Sequence, residues 1–595
     1  MILQALYELA QEEHLIQDPD YEPKPITYLV RLDKDGSFLG FTVTREAPPE
    51  NEGKKRKATP KSFAVPRCRA RTSGDRAFFL YDKAEYVFGM DPDGKRPTDK
   101  LEQRAALFQE GVDLCSDAIS DPGVDAVARF LKDLRTGRQT IELPEDCATN
   151  DLFAFVVEPN PDRLVTDSPA VRNFWKAQRA TADDSEKAWC LVLGREAPVA
   201  ELFPGLKKLP GGSTSGVALV SFNKPAFESY GLKGNQNATV SREAAETCAT
   251  ALNRLLDTAY PHPTRSGETL PKRRIQISGD SVVVFWAKGE GDVACDIFGG
   301  LLEGDPAQVR EVYRSIWRGK APHLDDASAF YALTLTGTQG RAIVRDWFES
   351  TVSEVMDQVA AYFEDIDIVR NTPKPKQGDL PPAFPIGRLM ESLAVQGKRE
   401  EIPAQLAAQF VHAALNGGPF PFAVLTRAVE RMRAEIGKMD WPDVARRDAR
   451  AALIKAVLNR RGTNKEIQKA MDKENKNAGY LLGRLMAVLE RMQQLALGSV
   501  NASVVDRFFA GASATPIAVF PRLLKNMRNH AAKAKGDNAK AGAATWLEKE
   551  VDTIMADVNS IPAHLPIEQQ GLFVIGYHHE RHWLWTKKED RENEA

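Results

Sequence analysis

Beyond the proline-rich stretch Pro373–Pro385 (PKPKQGDLPPAFP), the apolar residues stop alternating and recur three and four apart for most of the remaining chain. This change of period is the strongest constraint in the sequence. A 3.6-residue repeat builds one continuous apolar face on a helix and scatters it over both faces of a strand. Ile402–Leu415, Phe422–Ile436, Trp441–Arg460, Lys465–Met471, Tyr480–Ala496, Ser503–Phe509, Pro516–Ala534 and Ala543–Ala556 all carry the repeat, on an alanine-rich background. Residues 386–595 therefore read as an all-α helical bundle, with 373–385 as the linker before it.

Residues 1–372 follow other rules. Leu3, Leu6, Tyr7 and Ala10 mark a short opening helix. ITYLVRLDKDGSFLGFTVT alternates on both sides of an Asp-Gly turn, the pattern of a β-hairpin. A second hairpin is expected around Ser278-Gly279-Asp280, and a third pairs Phe330–Thr336 with Ala342–Phe348. Strand-like runs also occur at Ala77–Tyr86 and Asp151–Glu158, and helices are expected at Lys100–Ser116, Ala126–Leu134 and Arg242–Thr258. The fold class is α+β: a mixed, hairpin-rich N-terminal region followed by the helical bundle.

Composition removes several classes of function. A net charge of −3 over 595 residues leaves no generic polyanion binder, so any nucleic-acid surface must be made locally by segregating lysine and arginine. Cys68, Cys115, Cys147, Cys190, Cys248 and Cys295 form no CxxC pair, which removes zinc ribbons and thioredoxin-like motifs and suits reduced thiols in a cytoplasmic protein. The opening MILQALYELAQEEHLI is acidic and unlike a signal peptide, and no apolar run approaches the ~20 residues of a membrane span. There is no GxSxG elbow, no His-Asp pair and no Walker motif, so neither an enzyme nor a cofactor is expected.

Three constellations remain. Lys54, Lys55, Arg56, Lys57, Lys61, Arg67, Arg69 and Arg71 lie in a stretch without acids (GKKRKATPKSFAVPRCRARTSG), either a solvated surface loop or one that grips phosphates. Asn223, Lys224, Asn235, Gln236 and Asn237 sit on glycine-rich backbone. Their amides suit base edges, or else cap a strand edge and the helix that follows. GYHHERH (Gly576–His582) offers His578 and His582 at helical spacing, but HExxH is missing and the neighbouring Trp583 and Trp585 favour packing over metal.

The stretch Arg461–Lys535 combines apolar stripes with flanking cations. Leu481, Leu485, Val488 and Met492 form one stripe with Arg484 and Arg491 beside it, and Arg522, Lys525 and Arg528 recur three apart downstream. Such ridges either track a single-stranded phosphate backbone or cover apolar surface with their stems.

Several longer segments carry a resemblance in order along nearly the whole chain: MILQALYEL, FLYDKAEYVFG, ALVSFNKPAFESYG with NQNATVS, VVVFWA, GRAIVRDWFES, MDKENKNAGYLLGRLMAVLE, NASVVDRFFAGASATPIAVFPRLL and GYHHERHWLWT. Together they resemble the Csd-type large subunit of the type I-C CRISPR surveillance complex (Cascade). The resemblance implies a protein that assembles with CRISPR RNA, backbone subunits and a 5′-end-capping subunit. It implies reading of the protospacer-adjacent motif in duplex DNA, help with unwinding and R-loop formation, hold on the displaced strand, and recruitment of a helicase–nuclease. It also implies a small subunit made from an internal start that duplicates the C-terminal helices. Met471 is a candidate start, which makes 471–595 the small-subunit-like part, and Met439 and Met486 are alternatives. A chain acting mainly as an assembly scaffold on CRISPR RNA and backbone subunits is the other reading.

Overall fold

The computed structural model describes every residue except 17, 19, 46–59, 69–70, 72–73, 182–186, 263–267, 289–298, 300–327, 373–383, 438–439, 463–465 and 587–595, and the side chains of 180, 181 and 441. Most of the proline-rich linker lies outside the described residues. The chain forms two compact units, one of Leu3–Leu202 with Phe222–Thr250, the other of Met1–Ile2, Phe203–Ser221 and Ala251–Ala595.

The first unit opens with α1 (Ile2–Glu12), then β1 (Tyr21–Pro25), β2 (Tyr28–Leu32), β3 (Phe38–Val43) and β4 (Ser62–Pro66). Next come β5 (Tyr81–Lys83), α2 (Ala84–Val87), α3 (Thr98–Ala118), α4 (Pro122–Arg135), β6 (Leu152–Val157) and α5 (Pro169–Thr181). β7 (Lys187–Trp189), β8 (Glu196–Pro198) and the start of α6 (Arg242–Leu256) complete it. The expected hairpin is β2–β3, antiparallel from Tyr28↔Val43 to Leu32↔Phe38. Its turn follows from two side-chain facts. Asp33 Oδ1 accepts the Asp35 and Ser37 N–H groups at 2.9 and 2.7 Å, and Gly36 takes φ +89°. A β-carbon at Gly36 would also meet the Ala126 carbonyl at 2.7 Å, so only glycine serves here. β2 then pairs β6 in parallel, giving the sheet order β3-β2-β6-β5. Aromatic residues fill the space under this sheet: Tyr28 stacks on Phe153 at 5.0 Å, and Phe88 meets Phe153 edge-on at 5.0 Å.

The second unit contains β9 (Arg274–Gln276), β10 (Ser281–Ala287), β11 (Ala329–Gly337) and β12 (Ala342–Thr351), an antiparallel sheet in the order β12-β11-β10-β9. β10 reads SVVVFWA and is buried at every position. A central strand covered on both faces needs such an unbroken apolar run. Ten helices follow among the described residues: α7 (Val352–Ile366), α8 (Ile386–Ser392), α9 (Ala404–Asn416), α10 (Phe422–Glu435), α11 (Trp441–Arg461), α12 (Ala478–Leu497), α13 (Val504–Ala514), α14 (Pro516–Lys535), α15 (Asn538–Asp557) and α16 (Ile567–Trp585). One core runs from Ile275 on the sheet to Leu584 on α16.

α12 is the hub of this core. Asn477 caps it, accepting the Gly479 N–H at 2.9 Å. Every residue from Gly479 to Leu489 is buried, so the helix is enclosed rather than amphipathic. Glycines make room for this. A β-carbon at Gly483 would run into the Phe573 carbonyl, and one at Gly576 into that of Tyr480, so α12 and α16 touch backbone to backbone. Ser503 and Asp506 form a capping box at the start of α13, and Pro516 opens α14.

The expected α+β class and the hairpins are present. The helix expected at Lys465–Met471 is not: described residues 466–471 are irregular. The Asn459 side chain holds the backbone of Ile467 from both sides, accepting its N–H at 2.9 Å and donating to its carbonyl at 3.0 Å. These bonds compete with helical ones.

Candidate nucleic-acid interface

Lys54, Lys55, Arg56, Lys57 and Arg69 lie outside the described residues. Of the remaining basic stretch, Lys61 is exposed beside the Phe63 ring. Arg67 and Arg71 turn inward. Arg67 donates to the Tyr21 carbonyl at 3.0 Å and stands 3.6 Å from the Glu246 carboxylate. The Arg71 guanidinium lies between the rings of Phe78 and Tyr86, 3.9 and 3.8 Å from their centroids, and pairs with the fully buried Asp82. Burial pushes the Asp82 carboxyl up from its ordinary value, while Arg71 pulls it back. Both arginines are engaged within the fold, and a reach by Arg71 to a phosphate would strand the buried Asp82.

The amide cluster divides similarly. Asn235 Nδ2 donates to the Ala200 and Glu201 carbonyls at 2.7 and 3.1 Å, and Gln236 accepts the Lys233 N–H at 2.9 Å. Asn237 accepts the Ser229 N–H at 2.8 Å and donates to the Leu232 and Gly234 carbonyls at 2.9 Å each. These three amides hold the loop together, and the helix that follows is capped by Ser241 Oγ, which accepts the Ala244 N–H at 3.2 Å. Asn223 and Lys224 are exposed. What the stapled loop presents is Tyr230, 99% exposed and at φ +54°, a conformation costly for a non-glycine residue. Trp189, 60% exposed, and Leu202, 72% exposed, belong to the same unit. Sequence reasoning gave these two no role, because a lone apolar residue near a turn carries no signal of exposure.

In the helical region the five candidate cations differ. Arg484 is buried: Nε donates to Glu580 at 2.8 Å and Nη2 to Glu550 at 2.9 Å. Arg484, expected to line a strand path, sits on the enclosed part of α12. The Glu580 carboxyl, fully buried, is pushed up by that burial to about 7 even with the Arg484 guanidinium beside it. Arg491 covers the Trp585 ring at 4.9 Å and donates to Gln494 at 2.8 Å. Arg522, Lys525 and Arg528 are exposed on α14 and make no ion pair among the described residues. No carboxylate occurs anywhere in this 20-residue helix, PIAVFPRLLKNMRNHAAKAK. Within the helix no acid offsets this row of positive charge, although Lys535 at its end pairs with Glu548.

The histidine-rich end is packed. His578 Nε2 bonds the Val369 carbonyl at 2.7 Å, His579 Nδ1 bonds the Tyr480 hydroxyl at 3.0 Å, and His582 Nδ1 bonds the Arg370 carbonyl at 2.9 Å. Burial lowers the pKa of His578 and His579, which favours neutral rings.

These features define a class: a large α+β protein with a row of exposed cations on one acid-free helix. The family model for the CRISPR-associated protein family (Cas_Csd1) matches residues 3–585, and the chain belongs to that family. This agrees with the resemblance to the type I-C Cascade large subunit. No curated protein matches the chain. No described helix is long and apolar enough to cross a membrane.

Proposed function

We propose that this chain is the non-catalytic, DNA-binding large subunit of an RNA-guided surveillance complex of type I-C. In this division of labour, base pairing with the CRISPR RNA reads the target, while protein reads a short adjacent motif and the backbone. The chain recognises the protospacer-adjacent motif in duplex DNA, aids unwinding and R-loop formation, holds the displaced strand and helps recruit the helicase–nuclease. The observation that carries the strand-holding role is α14, with Arg522, Lys525 and Arg528 exposed on a helix without acids. For the duplex, the reading rests on Lys54, Lys55, Arg56, Lys57, Lys61 and Arg69, with Asn223, Lys224 and Tyr230 on the stapled loop.

Family membership places the chain in a multisubunit CRISPR complex. Its partners in this reading are CRISPR RNA, backbone and 5′-end-capping subunits, and a small subunit started at Met471. A scaffold role is favoured by one observation, the exposed Trp189 and Leu202, which suit a protein partner. One experiment separates the two. Replacing Lys54, Lys55, Arg56 and Lys57 with alanine weakens target-duplex binding and flattens its salt dependence if the stretch grips DNA. Normal assembly with unchanged binding at two salt concentrations removes the stretch from the mechanism, and failure to assemble supports the scaffold.

A further inference from the structure

A pocket of about 330 Å³ opens between α12, α13 and α14, roofed by the 498–503 turn. It is at the small end of the range for ligand sites. Its floor is apolar: Leu489, Leu523 and Met527 are buried there. Phe508, half-buried, forms a wall, and the Arg522 guanidinium lies 5.4 Å from its ring centroid. Asn501 and Asn526 offer amide groups at the sides. Arg507 and Arg522 stand exposed at the mouth and ion-pair with no carboxylate among the described residues, and no carboxylate lines the pocket.

This combination is selective. An apolar floor and an aromatic wall accept a flat ring, and amides pair with the hydrogen-bonding edge of that ring. Two guanidiniums at the mouth, with no ion pair among the described residues, favour an anion attached to it. A peptide side chain satisfies at most two of these demands. A nucleotide satisfies all three, with its base inside and its phosphate at the rim. Arg522 also belongs to the exposed row that continues with Lys525 and Arg528, so a strand following that row passes the mouth.

We infer that this pocket takes one flipped-out base of single-stranded DNA, with Arg507 and Arg522 holding the flanking phosphate. The inference rests on the strand-holding role proposed above and adds a discrete base site to it.

The test is fluorescence-anisotropy titration of the purified full-length chain with labelled oligothymidylate, the same oligonucleotide made abasic, and oligouridylate. The expected result is about tenfold tighter binding of oligothymidylate than of the abasic strand. Arg507→Gln with Asn526→Leu should bring this ratio close to one. Lys525→Ala with Arg528→Ala should weaken both DNA strands equally and leave the ratio intact. Equal binding of base-bearing and abasic strands by the unaltered chain overturns the pocket, as does a ratio that survives the pocket variant. Tighter binding of oligouridylate overturns DNA as the occupant. If the surface pair changes nothing while the ratio persists, the strand path along α14 falls and the base site stands. Cross-linking of a 4-thiothymidine oligonucleotide to the unaltered chain needs no variant to fold. Attachment within residues 489–530 supports the inference, and attachment elsewhere sinks it.

Discussion

Replacing Arg484 with methionine discriminates a buried ion pair from a DNA contact. In the folded chain Glu580 is fully buried, one carboxylate oxygen held by Arg484 Nε at 2.8 Å and the other without a hydrogen-bond partner. Methionine fills much of the arginine's volume but removes both of its bonds and, among the described residues, the only cation bonded to Glu580. Breaking one side of a buried pair typically costs about 3–5 kcal/mol. For a cooperative unit of several hundred residues that corresponds to roughly 4–7 °C in melting temperature. The deficit carries a pH signature. Burial already lifts the Glu580 carboxyl from 4.5 to about 7, so its stabilising contribution is complete below 4.5 and is lost as pH rises through about 7. Without Arg484 the carboxyl moves higher still and the folded variant retains a proton. The deficit of Arg484→Met should therefore be largest near pH 8 and shrink toward pH 5.5. Adding Glu580→Gln should restore most of the loss near pH 8, because no buried carboxylate then lacks its cation. Circular-dichroism melts of the single and double variants at both pH values provide the measurement. A single variant that melts within about 1 °C of the parent at both pH values yet loses DNA affinity would refute the burial argument.

Gly483→Ala should destabilise the second unit by about 2 kcal/mol or more, since its methyl meets the Phe573 carbonyl across the α12–α16 contact; urea unfolding reads this, and an unchanged midpoint counts against backbone-to-backbone packing. Asn237→Ala should speed amide exchange in residues 229–237, because its side chain supplies three of that loop's bonds. Tyr230→Ala should leave thermal stability within about 0.5 kcal/mol while weakening duplex binding; equal duplex affinity would remove Tyr230 from the interface. Mass spectrometry of the complex expressed with its partners should show a separate C-terminal fragment beginning at Met471; a fragment from Met439 or Met486 would move the start, and the absence of any such fragment would end the internal-start reading.

The hairpins and most helices were legible in the sequence because their causes are local. Alternation around Asp33–Gly36 makes β2–β3, and Asn477 and Ser503 announce helix starts. The helix expected at 465–471 is absent from described residues 466–471, where the Asn459 side chain holds the backbone of Ile467. The candidate site was legible mainly as charge. The sequence placed Arg484 beside an apolar stripe and Arg522 beside another, with nothing local to separate them.

What the sequence by itself determined is the α+β class, the hairpins, most of the helices and the absence of acids from α14. These follow from period, turn chemistry and composition. Only the tertiary structure decided which cations remain available. Arg67 and Arg484 meet carboxylates from distant segments and Arg71 meets the buried Asp82, whereas Arg522, Lys525 and Arg528 meet none among the described residues. The reason is that an ion pair is set by where the partner's chain segment packs, and a charge reveals nothing about its burial until the neighbouring elements are in place.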